Sequence, residues 1–495
     1  MQLKKIINYI VIISITVFAI TALNSNGFYH ADEHYQVLEF AIYKDGINEA
    51  KDLAWEFKEK MRSGILPTFA YVFFGLLKTI GIVEPHMQNT LLRLLVAILA
   101  LFTLFKSTKY IEKNLNITGE KWLLFCALTF LTWFIPFLSV RYTAETLSGL
   151  LLLWIILESN QSKIIWYRIG VLTGLAFIIR FQILFFLVPY LFFILLKNKV
   201  IAKNILLLLS SFAIVFCLGV LIDSWFYSEL TFTSINYLKI VLDGIFDEGE
   251  NAFGNADKWF YFIELIKAPL YPIGLLYVIS VLILWYKEKL NPIVISLLIY
   301  ILIHTLIDHK EVRFLFPLAY LMPIIVITAV QKSNLFNWIL LKNKIISICI
   351  WSIILIVNLI GLSAMMFKSA GIGRMELTKY IADNYGDKKI TIHHTNWANP
   401  YDPWQGLKMN YYYRENMTFK LLNDPCKPDS INFNFENANV LICRKIDLDN
   451  NCLIEYLNNN QFKFKQASIP DWIVNLNEYY NGFESKDVLQ LYIKQ

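Results

Sequence analysis

Two groups of ionisable residues stand out by type and spacing. The first is His30-Ala31-Asp32-Glu33-His34-Tyr35-Gln36, seven residues beyond the end of an apolar stretch. Adjacent carboxylates between two histidines suit removal of a proton from a hydroxyl, with one acid as general base. His, Asp and Glu are also metal ligands, but His30 and His34 lie four apart without a His-Glu-x-x-His pattern. The plain alternative is a solvated loop in which Asp32 caps an amphipathic helix running through Glu39. The second group, His309-Lys310-Glu311-Val312-Arg313-Phe314, sits in a very short loop between two apolar stretches. It makes a basic spot able to hold phosphate or sugar hydroxyls, or it simply anchors two helix ends at an interface. Arg141-Tyr142-Thr143-Ala144-Glu145-Thr146 forms a third short loop, and Arg180 ends another apolar stretch, where snorkelling is as reasonable as a phosphate role. The segment from Asp223 to Trp259, with Asp243, Asp247, Glu248, Glu250 and Asp257, lacks EF-hand spacing and reads as a solvated acidic loop. Its tail, Trp259-Phe260-Tyr261, suits a membrane interface or a sugar-stacking surface.

The elements that position these groups belong to a lipid-solvated chain. Of 495 residues, 56% are hydrophobic and 17% charged, and the mean hydropathy is +0.48. Soluble domains carry about 25% charged residues, so this composition excludes an ordinary cytosolic enzyme, a disordered protein and a nucleic-acid binder. Stretches long enough to approach a bilayer span lie near 6–23, 91–105, 122–138, 144–157, 166–180, 182–196, 205–222, 260–284, 292–307, 314–330 and 345–367. The first, with no small-residue cleavage site after it, reads as an uncleaved anchor. A shorter stretch at 68–81 holds Lys78. Lys-rich loops alternate with acidic or mixed ones. Placing the Lys-rich set and the N-terminus in the cytoplasm requires an odd number of spans, so the 68–81 piece should not cross.

The predicted fold is therefore an all-α polytopic membrane bundle of about eleven spans over 1–368. A long first external loop with interfacial helices occupies 24–90, and a small α/β extracytoplasmic domain occupies 369–495. That domain is expected to hold a helix at 376–384, strands at 389–393 and 440–443, and a helix at 453–459. Cys426, Cys443 and Cys452 all fall in it, allowing one disulfide in an oxidising compartment and leaving one thiol over. His393 and His394 have nothing obvious to complete a metal site, and Asn416-Met417-Thr418 is a glycosylation sequon. No Gly-rich phosphate loop appears on the cytoplasmic side, so an activated donor should arrive from the membrane. A transporter or flippase would need ionisable groups near the midplane, whereas Asp223, Arg180 and Arg141 lie near span ends and no internal repeat is visible. That reading and a non-catalytic assembly subunit stay open from the residues alone.

The motifs carry a resemblance. His30-Ala31-Asp32-Glu33 with Gln36 and Glu39 resembles the His-Pro-Asp-Glu…Gln…Glu signature of glycosyltransferase family twenty-two, polytopic mannosyltransferases with the GT-C fold. Ala31 stands where the family has Pro. His309-Lys310-Glu311-Val312-Arg313-Phe314 with Pro317 resembles its His-Lys-Glu-x-Arg-Phe…Pro motif. Gly174-Leu175-Ala176 with Arg180 is similar to its Gly-Leu-Ala…Arg-Pro helix, with Phe181 in place of Pro. Arg141, Glu145 and Thr146 are similar to its second external loop, and Gly254…Trp259-Phe260-Tyr261 loosely matches a Gly…Trp-Tyr stretch. The resemblance covers about 28–330. It implies an inverting transfer of a hexose, most readily mannose, from a polyprenyl- or dolichol-phosphate donor to a glycan or glycolipid acceptor outside the membrane. Another GT-C transferase, with a different sugar or acceptor, is the alternative inside the class. Asp32 would be the base and Glu33 would orient base or acceptor. His30, Arg141, Glu145, Arg180, His309, Lys310, Glu311 and Arg313 would bind substrate, with Arg180, Lys310 and Arg313 facing the leaving phosphate. No cofactor and no obligatory metal are expected, since these cations can supply the charge. The implied partners are the lipid-linked donor, the acceptor and membrane lipids, with no nucleic acid. Lys, Asn and Ile usage favours a bacterial inner membrane, the endoplasmic reticulum being the eukaryotic counterpart.

Overall fold

The computed structural model describes residues 2–246, 256–403, 406–423, 426 and 437–494. Asp247, Glu248, Glu250 and Gly254 of the acidic loop lie outside them, as does the side chain of Asp243. Each of the eleven apolar stretches is helical, as backbone in a hydrocarbon solvent must be when its polar groups have only one another to pair with. Among the described residues Pro85–Asn114, Ala202–Tyr227 and Lys344–Phe367 are long and apolar enough by themselves to cross a bilayer. Residues 68–79 of the 68–81 stretch lie in a 15-residue helix, Ile65–Thr79, and Ile80 and Gly81 form the turn after it.

Three of the expected spans are broken, where the sequence reading had them continuous. The 260–284 stretch is Phe260–Lys267 followed by Tyr271–Lys287, bent by 118°, and the 314–330 stretch turns by 60° between Val312–Ala319 and Met322–Lys332. Proline explains both: Pro269 and Pro272 flank the first break, and Pro317 and Pro323 flank the second. Proline removes a helical N–H and clashes with the preceding turn. The third break, between Gly119–Leu131 and Phe134–Leu138, is repaired from another helix. Asn358 accepts from Trp133 N at 2.8 Å and donates to Leu131 O at 2.7 Å, pairing backbone groups that the break exposes.

The chain forms two compact units. The first comprises 1–21, 59–68 and 93–363; the second comprises 22–58, 69–92 and 364–495. In the first, the helices Trp166–Ile179 and Ala202–Tyr227 approach so closely that a Cβ on Gly170 would lie 2.0 Å from Ser211 Oγ and 2.2 Å from Leu208 O. Gly174 against Val215 and Gly219 against Ile178 continue the seam. Small residues permit this backbone approach, which in lipid supplies the packing energy that water exclusion cannot.

The second unit holds a five-stranded sheet: β1 (Ile390–His394), β2 (Met417–Leu421), β3 (Ala438–Arg444), β4 (Phe462–Ala467) and β5 (Leu489–Lys494), in the order β2-β1-β3-β5-β4. β1 runs parallel to β2 and β3, while β5 is antiparallel to β3 and β4. β1 and β3 are almost wholly buried, as parallel strands covered on both faces are. Leu441, Cys443, Leu453, Tyr456, Leu457 and Phe462 form one core cluster, and Ile469, Ile473, Val474 and Val488 another. The helices expected at 376–384 and 453–459 are Arg374–Tyr385 and Asn451–Asn459. Cys426 and Cys452 are joined, and Cys443 is the buried thiol left over. The sequon asparagine is engaged: Asn416 Nδ2 donates to Gly386 O and Lys388 O, at 2.9 and 2.7 Å.

Candidate functional site

The second unit positions the first motif. His30, not Asp32, is the N-cap of the turn Ala31–Glu33: its Nδ1 accepts from Asp32 N at 3.3 Å. Glu33 reaches back to accept from Tyr29 N at 3.0 Å, closing the turn from the other side. Asp32 is thus held in the first turn with Oδ1 3.4 Å from His30 Nδ1 and about a fifth of its side chain exposed. The next five residues, His34–Leu38, form a π-helical turn, a distortion frequent at functional sites. His34 and Glu39, spanning that turn, are buried partners: His34 Nε2 donates to Glu39 Oε1 at 2.7 Å. Glu39 also accepts from Asn48 Nδ2 at 2.6 Å and Tyr411 N at 3.0 Å. The His34 ring stacks on Tyr412, whose ring in turn stacks on His86. Tyr35 donates to Leu407 O at 2.8 Å, and burial pushes its phenol well above the ordinary range. His34 and Glu39 therefore lock the motif onto the β1–β2 connection.

The first unit positions the cations. Thr143 caps the helix Ala144–Ser159 by accepting from Thr146 N, which sets Glu145 in its first turn, where the helix dipole favours a carboxylate. Arg180 stands at the other kind of terminus, just past the C-terminal end of Trp166–Ile179. Its Nη1 donates to Glu145 Oε1 at 2.6 Å. Arg313 Nη1 lies 3.7 Å from the same oxygen. Glu311 accepts two hydrogen bonds from Arg313, Nε to Oε2 at 2.5 Å and Nη2 to Oε1 at 2.8 Å, and one from His309 Nε2 at 2.7 Å. The result is one line, Arg180–Glu145–Arg313–Glu311–His309, with the Phe314 ring 5.3 Å from the Arg180 guanidinium and 5.6 Å from that of Arg313. Lys310 donates to Ala256 O and Asp308 O. Three cations, Arg180, Arg313 and Lys310, against two carboxylates leave one net positive charge with His309 neutral. Arg180 is 7% exposed, yet its Nε and Nη2 make no hydrogen bond among the described residues. Arg141 is more deeply buried still, its guanidinium over the Phe137 ring.

The ten sequence-derived site residues thus fall in two sets. His30, Asp32 and Glu33 belong to the second unit; Arg141, Glu145, Arg180, His309, Lys310, Glu311 and Arg313 belong to the first, five of them in one ionic line. The sequence reading missed Tyr300 and His304. Tyr300 OH donates to Phe314 O at 2.7 Å, and His304 Nδ1 donates to Tyr300 O at 2.8 Å. Their signal was two polar aromatic groups four apart in the otherwise apolar helix Pro292–Leu306. Among the described residues no three His, Cys, Asp or Glu side chains are grouped to hold a metal ion.

The architecture is that of ArnT from Cupriavidus metallidurans, whose crystal structure bound to undecaprenyl phosphate superposes with a TM-score of 0.55 at 9% identity, covering 98% of this chain and 97% of that one. The fold is GT-C. Residues 9–400 match the Alg9-like mannosyltransferase family, and the chain belongs to it. It is 25% identical to GPI mannosyltransferase 3 of Candida albicans over 415 residues, 81% of this chain and 76% of that one. It is 23% identical to human GPI alpha-1,2-mannosyltransferase 3 over 295 residues, 58% of this chain and 51% of that one. The protein is a polytopic membrane glycosyltransferase of a mannosyltransferase family.

Proposed function

We propose that the protein transfers mannose from a polyprenyl- or dolichol-phosphate donor to a glycolipid acceptor of the GPI class on the extracytoplasmic face of its membrane. The acceptor hydroxyl oxygen bonds to the anomeric carbon while the bond from that carbon to the lipid phosphate breaks. The bonding pair leaves with the phosphate, the hydroxyl proton passes to the Asp32 carboxylate, and the configuration inverts. Arg180, Arg313 and Lys310 stabilise the charge that grows on the phosphate, since prepositioned donors act most strongly where charge develops. Glu145 and Glu311 hold the two guanidiniums in place. The observation that carries the reading is Arg180: a buried guanidinium with two unused donor atoms, in a line whose two carboxylates only balance its two guanidiniums and beside which Lys310 adds a third cation, is ready for an anion. A lipid phosphate in the related fold supports that anion, and the names of the relatives support mannose and the acceptor. The Cys426–Cys452 bridge supports an oxidising compartment for the second unit.

The test compares wild type and Asp32→Asn in lipid, with labelled dolichol-phosphate-mannose and a GPI-precursor acceptor, with and without chelator. Transfer that is lost in the variant and indifferent to chelator is the expected outcome. Equal transfer by both proteins would remove Asp32 as base. Movement of the intact donor across the membrane without transfer would establish a flippase instead.

A further inference from the structure

The strand order of the second unit has a consequence beyond holding the motif. β1 is followed on one side by β2 and on the other by β3, so the chain reverses direction across β1. In open sheets of this 2-1-3 order, ligands sit outside the carboxyl ends of the strands at the reversal. Four features gather at that end. Arg374, first residue of the helix leading into β1, donates from Nη1 to Trp397 O at 3.1 Å and to Asn399 O at 3.4 Å, both just past the end of β1. Arg444, the last residue of β3, bonds Asp447 at 3.0 Å and lies 3.5 Å from Asp487, while its buried Nε has no hydrogen-bond partner among the described residues. Asp447 also accepts from Thr395 Oγ1, tying the ends of β1 and β3 together. Trp397 has φ of +63°, a left-handed conformation costly for a bulky residue, and the residue is 47% exposed. Strain of this kind persists where the surroundings enforce it, typically at binding sites.

The same end carries the motif. Asn26 O accepts from Ala370 N at 2.8 Å, and Asn26 Nδ2 donates to Glu376 at 3.0 Å. A Cβ on Gly27 would strike Met375. These contacts fasten the segment just before His30 to the first turn of the helix that bears Arg374 and to the residues leading into it. Tyr35, Asp487 and Arg444 are the charged or polar neighbours that Arg374 feels, and burial lowers its guanidinium to about 10.

We propose that this end of the sheet, lined by Arg374, Trp397 and Arg444, is the subsite for the sugar of the acceptor next to the attacking hydroxyl. The apolar face of a pyranose stacks on the exposed indole, an aromatic ring with an apolar body, and vicinal hydroxyls bond the arginine forks. The inference rests on the transferase reading in taking the ligand to be the acceptor.

The test uses the full-length protein in detergent with soluble α-mannobiose as probe, read by saturation-transfer NMR, alongside acceptor kinetics. Trp397→Gly is the informative variant, because glycine adopts positive φ without strain and the local backbone should hold. Expected are saturable mannobiose binding by wild type, weakening by about tenfold, or 1.4 kcal/mol, in Trp397→Gly, and recovery in Trp397→Phe. Acceptor KM should rise by the same factor with donor KM unchanged. Equal mannobiose affinity in wild type and Trp397→Gly, or no saturable binding by wild type, would overturn the subsite. A wild type that binds mannobiose through Trp397 but transfers no mannose would uphold the subsite and defeat the transferase proposal. Transfer with an acceptor KM indifferent to Trp397→Gly would do the reverse.

Discussion

Glu145 is the residue on which the cation line depends. It touches Arg180 at 2.6 Å and Arg313 at 3.7 Å, and all three are at least nine-tenths buried as side chains. Removing one member of a buried ion pair costs about 3–5 kcal/mol because the other charge is left uncompensated. Here it also leaves two guanidiniums facing each other. Glu145→Gln should lower the thermal midpoint in detergent clearly and raise donor KM, whereas Arg180→Lys should keep the charge but lose donor binding, since an ammonium cannot reproduce a guanidinium fork. Thermal scans and donor titrations on the two variants separate these outcomes. The adjacent acids of the motif divide in the same way. Glu33 accepts from Tyr29 N, a bond that an amide oxygen can also accept, while the Asp32 carboxylate lies 3.4 Å from His30 Nδ1. Glu33→Gln should therefore reduce transfer far less than Asp32→Asn, measured as kcat with saturating donor. Equal losses would mean that Glu33 handles the proton.

At the scale of elements, the seam between Trp166–Ile179 and Ala202–Tyr227 makes a sharp prediction. No rotamer removes the Cβ of Gly170→Ala from Leu208 O, which is backbone, so the helices must separate. Gly75, with open space around its Cβ position, is the control that should tolerate alanine. Size-exclusion profiles and melting in detergent read the contrast. The sheet offers a pH test. His393 is fully buried in β1, and burial holds its imidazole below the usual value. The unfolded chain then binds the proton first, so the sheet is stable above about pH 6.5, and stability is lost as the pH falls from there toward the folded pKa. Amide exchange of β1 should accelerate over that window in wild type but not in His393→Asn. These elements also mark what the sequence could reveal. Each of the eleven apolar stretches read from hydropathy is helical, and the Pro residues that break two of them were visible but outweighed by apolar length. β1, β3 and the helices beside them announced themselves by apolar runs, whereas β4, with alternating Lys and a bulge between Phe464 and Gln466, did not. The ionisable candidates were legible because charge is costly beside lipid. His34–Glu39 as a lock onto Tyr411 was not, because its partner lies 372 residues away.

For the whole molecule, each unit is assembled from segments far apart in the chain. The second brings 22–58 and 69–92 together with 364–495, so the motif residues fold against a sheet that is made last. Cleaving the chain after 368 would strip Glu39 of Tyr411 N and Tyr35 of Leu407 O. A fragment ending there should insert its helices yet show no activity and give up residues 24–58 to protease. The Cys426–Cys452 bridge acts at the same scale, since it closes a separation of 26 residues against the core cluster that holds Leu453 and Tyr456. In the chain-entropy account a loop of that length contributes about 3.5 kcal/mol. Reductant should lower the midpoint of the sheet-containing unit, read by amide exchange in β3 and β4, and leave exchange in the helices of the first unit unchanged. Cys443 stays protected until that transition, because burial pushes its thiol up to about 12 and only unfolding exposes it. Alkylation of Cys443 that tracked loss of sheet protection would tie the bridge to that unit's stability, and alkylation preceding it would break the link.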